Sequence, residues 1–336
     1  MKIFDKIMLW CFLLCCAGCA TSKLGKSGQA KIKSKTFVVL GASSGFGRGV
    51  AEELGRYGAN VVLASRRTDL LEEIATKIRA TGGTAEVLTT DITKPAEVEM
   101  LAIAAVKRFG KIDVWINMAG VGAIGRFWEI PVKDQTTIVD VNLKGFIYGS
   151  HQAIGIFRKQ GYGTLINMGS IESENPLAYH AAYAATKAGV RHLGQAINQE
   201  LRLDGQKRIR LVTVQPWAVD TPFWTHAANY SGGTPRMAAM DSADKVVNAV
   251  LRMALRPRQE LAVGWKAKGT KLFHKILPHS AERFSANVIH RYQIKTAPPA
   301  KDTTGSIFKP MEAGREVDGG VRERMKKERK ERKQNL

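Results

Sequence analysis

Three residues of this 336-residue chain have types and an order suited to proton transfer: Ser170, Tyr183 and Lys187. Tyr183 and Lys187 stand four apart, so on a helix they share one face. There an ammonium group lowers the proton affinity of a phenol that ordinarily titrates at about 10. A tyrosine tuned in this way gives or takes a proton near neutral pH. Upstream, Gly41-Ala-Ser-Ser-Gly45-Phe-Gly47 follows the apolar residues 36–40 and opens into a helical pattern over 48–57. Strand, glycine turn and helix in that order make a cradle for a pyrophosphate. Gly41 permits the turn, Gly45 and Gly47 let the backbone approach the ligand, and the helix N-terminus offers unpaired N–H groups at a positive dipole end. A hydride carrier and a proton donor are together what carbonyl reduction needs.

These residues must be positioned by a sheet. Apolar runs at 36–40, 60–65, 85–89, 114–117, 163–168, 210–214 and 261–264 alternate with helical patterns. Such alternation implies βαβ units in an α/β fold, a doubly wound, Rossmann-like parallel sheet with helices on both faces. Ligands bind such sheets beyond the carboxyl ends of the strands, and Asn117, Ser170 and Thr221 fall at or just after strand ends.

On these residues the chain resembles the short-chain dehydrogenase/reductase family over about residues 36–265. The spacing Gly-x3-Gly-x-Gly is that family's form of the dinucleotide fingerprint. Further matches follow in family order: Asp91, then Asn117-Met-Ala-Gly120, Asn142, Ser170, Tyr183 with Lys187, and Pro216 with Thr221. Leu40, Phe46 and Trp217 depart from the family's usual residues without removing a catalytic group. The resemblance implies that Ser170 hydrogen-bonds the substrate oxygen, Tyr183 transfers the proton, Lys187 also holds the nicotinamide ribose, and Asn142 supports a water relay. It further implies a cofactor site made of Gly41, Ser43, Ser44, Gly45 and Gly47, with Asp91 facing the adenine, Asn117 stabilising the sheet beside the cofactor, and Thr221 meeting the carboxamide.

Cofactor choice is read after the second apolar run. NAD-selecting enzymes place a carboxylate there for the ribose 2′-hydroxyl, whereas arginine suits the 2′-phosphate of NADP. This chain has Ser65-Arg66-Arg67. The missing acid and the gained guanidinium point to NADP(H) over NAD(H), with Arg66 the better placed by the resemblance. The expected activity is that of an NADP-dependent carbonyl reductase or alcohol dehydrogenase. A sensor or scaffold at the membrane that binds NADP(H) without turnover is the alternative; it has no need of the proton donor that this chain retains. Phe127, Trp128, Trp217, Phe223 and Trp224 are expected in loops bordering the site, favouring a bulky apolar carbonyl or alcohol. The seven histidines form no metal-ligand pattern, so no metal is expected.

Most of the net charge of +21 lies in the two ends. Residues 1–19 read as a secretory signal, with Lys2 and Lys6 before an apolar run and an ending at Cys19 that resembles a bacterial lipoprotein box. The apolar run is too short for a membrane span. Because all four cysteines lie there, the body can form no disulfide. Residues 20–35 read as a flexible basic tether, 36–265 as the catalytic domain, 266–300 as a basic amphipathic segment and 301–336 as a basic, disordered or solvated tail. The amphipathic segment suits an anionic membrane surface, the domain itself, or a partner subunit of a homo-oligomer. The tail's final stretch, 321–333, lacks aromatic stacking residues, which argues against nucleic acid. Membrane association through the N-terminus is therefore expected, with the face left open by the lysines behind the apolar run.

Overall fold

The computed structural model of the chain describes residues 21–334. The expected signal segment and its Cys19 lie outside the described residues.

Seven strands form one parallel sheet: β1 (Thr36–Leu40), β2 (Asn60–Ser65), β3 (Thr84–Thr89), β4 (Val114–Asn117), β5 (Gly163–Met168), β6 (Ile209–Pro216) and β7 (Glu260–Val263). Their spatial order is β7-β6-β5-β4-β1-β2-β3, so the strand order reverses at the β1–β4 neighbours. Helices cover both faces, and β1, β4 and β5 are buried throughout, as their unbroken apolar runs require. The register aligns the carboxyl ends: Leu40 lies beside Asn117, which lies beside Asn167. A crevice opens beyond those ends at the reversal, where this architecture binds ligands.

The crossover helices are α2 (Gly45–Arg56), α3 (Thr68–Ala80), α4 (Pro95–Phe109), α5 (Val132–Val139) running through a π-helical turn (Asp140–Lys144) into α6 (Gly145–Gln160), α7 (Ala181–Leu203) and α8 (Ala243–Leu255). Each buries its apolar stripe against the sheet; α4 and α6 stop at Gly110 and Gly161, both in the left-handed conformation.

Both ends differ from the sequence expectation. Where a flexible tether is expected, Lys26–Ile32 form helix α1, pinned by fully buried Ile32 and by Leu24. Residues 264–295 pack on the domain as α9 (Gly264–Ile276), α10 (Pro278–Ile289) and a π-helical turn, burying Ala267, Ala281, Ile289 and Gln293. Lys271 joins this layer to the domain by ion pairs of 2.6 Å to both Glu174 and Glu260. The tail, expected to be disordered or solvated, runs back across the domain and ends in α11 (Val321–Gln334), a helix exposed over most of its length. Tertiary contacts hold that helix, among them Asp220, which accepts the N–H groups of Val321 and Arg322, each at 2.9 Å, and Glu328, which makes a two-pronged pair with buried Arg236 at 2.5 and 2.9 Å. Composition alone hid this, because the anchoring residues sit a hundred positions away.

Candidate active site

The turn after β1 is tight enough to dictate glycine at two positions. Gly41 has φ +104°, and a Cβ there would lie 2.4 Å from the Ala119 nitrogen. A Cβ on Gly47 would lie 1.9 Å from the Gly41 carbonyl oxygen. Gly47 is thus required by the packing of α2 on its own turn, rather than by a ligand's approach. Gly45, Phe46 and Gly47 open α2 and, with Ser43 and Ser44, line the crevice.

At the opposite wall, β5 ends at Met168 and delivers Ser170, whose hydroxyl accepts the Glu172 N–H at 3.1 Å. That bond uses an oxygen lone pair and leaves the hydroxyl proton for another acceptor. Tyr183 occupies the first turn of α7, with Lys187 one turn on. Buried Lys187 donates from Nζ to the Met168 carbonyl at 2.8 Å and sits 5.0 Å above the Phe146 ring and 5.5 Å from that of Tyr183. Ser170, Tyr183 and Lys187 therefore meet on one wall of the crevice.

The electrostatics differ from the simple expectation of an acidified phenol. Burial pushes Tyr183 well above its ordinary range, the Glu172 carboxylate adds to this, and a hydrogen bond from Ser170 opposes it. Burial also brings Lys187 down to about 8, with Glu172 pulling the other way. Burial thus favours the neutral phenol at Tyr183.

Glu172 itself is missed by sequence reading. It is buried, and its Oε1 lies 3.1 Å from Nδ1 of buried His180, whose ring meets Tyr183 edge-on at 6.3 Å. Glu172 Oε2 and His180 Nε2 are buried without hydrogen-bond partners, an uncommon state for polar atoms. Nothing local distinguishes this Glu-x7-His pair from surface residues; only the loop between β5 and α7 brings them together.

Asn142 and Asn117 do not reach the crevice. Asn142 sits in the π-helical turn and clamps the chain after β4, accepting the Val121 N–H at 2.9 Å and donating to its carbonyl at 2.8 Å. It thus positions the crevice floor rather than lining it. Asn117 is spent inside the fold: it accepts from Trp115 Nε1 at 2.7 Å and donates to Asn167 at 2.8 Å. Its assignment to the cofactor site is corrected accordingly, since β-strand alternation turns the side chain under helix α6, where Gly149 leaves room for it. Asp91 lines the crevice while closing a turn onto Thr93, and Thr221 lines it beside Gly45.

At the far end both arginines line the crevice, each with its own partners. Arg67, not Arg66, reaches the glycine turn, donating to Ser44 Oγ at 2.7 Å and to Ser43 Oγ at 3.1 and 3.2 Å. Arg66, half-buried in the same lining, donates to the carbonyls of Ser306 and Phe308, each at 2.9 Å. Adjacent residues leaving a strand point to opposite sides, which a one-residue reading of spacing cannot resolve. Of the aromatic residues, Trp217, Phe223 and Trp224 line the crevice with Leu177 and Met237. Phe127 and Trp128 do not; they are 61% and 80% exposed. Among the described residues no cluster of metal-binding side chains occurs.

The architecture has counterparts in known proteins. The family model for short chain dehydrogenase matches residues 35–230. An uncharacterized oxidoreductase of Staphylococcus epidermidis is 33% identical over 222 residues, covering 66% of this chain and 93% of its own. Another, from Bacillus subtilis, is 28% identical over 266 residues, covering 78% of this chain and 74% of its own. Among solved structures, an alcohol dehydrogenase from the archaeon Thermococcus sibiricus, complexed with 5-hydroxy-NADP, superposes with a TM-score of 0.59 at 26% identity, covering 69% of this chain and 97% of that one. The chain belongs to the short-chain dehydrogenase family of oxidoreductases.

Proposed function

We propose that this oxidoreductase is an NADP(H)-dependent reductase of carbonyl compounds, running in reverse as an alcohol dehydrogenase. The observation that carries the reading is the polarity of one crevice: a serine, tyrosine and lysine at one end, and at the other two arginines that form no ion pair among the described residues. The crevice suits a phosphorylated dinucleotide on its own features. It has a helix N-terminus behind a glycine turn, two serine hydroxyls, and arginines for which no ion pair occurs among the described residues. The Thermococcus relative holds an NADP derivative, which favours the same cofactor here.

When bound, the nicotinamide supplies the hydride. The chain's part is to hold and move the proton. The neutral Tyr183 phenol gives its proton to the carbonyl oxygen as that oxygen gains charge, and Ser170 donates a hydrogen bond to the same oxygen. The Lys187 ammonium then stabilises the phenolate until it is reprotonated. Asn142 supports this by fixing the loop beside Lys187: the missing Cβ of Gly120 would lie 3.6 Å from Asn142 Oδ1 and 3.8 Å from Lys187 Nζ. Leu177, Trp217, Phe223, Trp224 and Met237 give the substrate end an apolar wall, favouring bulky apolar carbonyls.

The test is a panel of aldehydes and ketones, with the matching alcohols for the reverse direction, followed by NADPH absorbance with NADH in parallel. Turnover of apolar carbonyls with NADPH preferred supports the reading; a panel with no cofactor oxidation, or one favouring NADH, overturns it.

Attachment to an anionic membrane surface is proposed for the same protein. Trp265, Leu272 and Ile276 on α9, Phe284 on α10 and Leu277 between them are all more than half exposed, and Lys268, Lys275 and Arg283 accompany them. Among the described residues no helix is long and apolar enough to cross a membrane, so the attachment would be interfacial. Co-sedimentation with anionic but not neutral vesicles, lost in Trp265→Ala/Phe284→Ala, is expected; retention by neither vesicle would contradict it.

A further inference from the structure

We propose that residues 306–316, which lie beyond the family's shared core, form a strap that completes the dinucleotide site by walling its adenosine end, so that cofactor exchange requires the strap to lift. The inference rests on the cofactor reading above.

The path of the strap is fixed by its backbone. Thr303 pairs with Asn229 through bonds of 2.8 and 3.0 Å, and Ser306 N–H donates to the His226 carbonyl at 2.8 Å. From there the chain crosses the crevice mouth, and Ser306, Pro310 and Met311 join Ser43, Arg66 and Arg67 in lining it. It leaves along α2: the Ala313 carbonyl meets His226 Nε2 at 2.9 Å, Arg48 donates to the Arg315 carbonyl at 2.8 Å, and Gly45 N–H donates to the Glu316 carbonyl at 2.9 Å. Val317 then packs against Gly49. Both ends are anchored, while Phe308, Lys309 and Pro310 at the middle are exposed.

The strap meets the arginines through carbonyl groups alone: Arg66 takes those of Ser306 and Phe308, and Arg67 those of Met311 and Gly314 at 3.4 and 3.5 Å. Carbonyl dipoles orient a guanidinium but do not neutralise it. A phosphate remains the stronger partner for either cation, and its arrival would exchange weak bonds for charge-assisted ones. Gly305 and Gly314, near the two ends of the strap, adopt φ of +53° and +73°, a conformation that favours glycine. Gly314 further seats against His226 with no space for a side chain: a Cβ would lie 2.5 Å from Nε2 and 2.9 Å from Pro222 Cβ.

The experiment is stopped-flow displacement of NADPH from the full-length protein, read by nucleotide fluorescence, with equilibrium affinity measured alongside. Gly314→Val cannot seat the strap and is expected to raise the NADPH dissociation rate by about tenfold or more, with affinity falling in step. Met311→Gly removes part of the wall without a clash and is expected to raise it by about threefold; it carries the test if Gly314→Val fails to fold. An unchanged dissociation rate would show the strap to be mere packing, and tighter binding would show it to be a plug; either result overturns the proposal. Failure of the unaltered protein to bind NADPH would instead refute the cofactor reading, and the strap proposal with it.

Discussion

The two ends of the crevice are built in opposite ways. At the substrate end, Ser170, Tyr183 and Lys187 lie within 18 positions of one another and are placed by one strand end and one helix. At the adenosine end, Arg67 meets Ser43 and Ser44, and both arginines meet residues 306–316, across some 240 positions of chain. A proton donor needs rigid placement relative to a reacting atom, and a local helix provides it. A binding end can be closed by a distant segment, whose many modest bonds allow it to move. The difference teaches that chemistry and retention of the cofactor are separable here.

The sharpest way to break that separation is Tyr183→Phe. Turnover of a good carbonyl substrate should fall by roughly 10²–10⁴-fold while NADPH binding stays; loss of binding as well would tie the two ends together. Next in size, Glu328→Ala leaves Arg236 buried and unpaired, and should cost about 3 kcal/mol in denaturant unfolding. A cost near zero would mean that α11 is not an anchor of the tail.

A smaller effect sharpens the adenosine end. Arg67→Ala should weaken NADPH by about 10- to 100-fold and NADH little, with Arg66→Ala weaker in its effect, because Arg67 alone reaches the serine hydroxyls. Titration of both variants with both nucleotides decides this, and equal losses for the two nucleotides would remove Arg67 as the reader of the 2′-phosphate.

The smallest effect concerns pH. Reduction should decline as pH rises through about 8, where buried Lys187 loses the proton that stabilises the phenolate. The Glu172 carboxylate raises the proton affinity of both Lys187 and Tyr183. Glu172→Gln should therefore move the alkaline limb of the rate profile to lower pH by about one unit. An unmoved limb would leave Glu172 with a purely structural part.

Legibility followed the same division. The parallel sheet and the Ser170, Tyr183 and Lys187 grouping were readable because apolar runs, a glycine turn and a four-residue spacing are local signals. Residues Arg67, Glu172 and His180 were not, since their importance arises from which way a side chain leaves a strand or loop. The tail was least readable. Its charge suggested solvation, yet Asp220, Arg236 and the α2 N-terminus supply partners that no window of sequence around residue 320 contains.

The most direct test of the separation is the kcat of Arg67→Ala measured at saturating NADPH. If the arginine end only holds the cofactor, kcat should stay within about twofold of the unaltered protein while the KM for NADPH rises. A kcat that falls as far as it does in Tyr183→Phe would contradict the account, because the two ends would then be one catalytic unit.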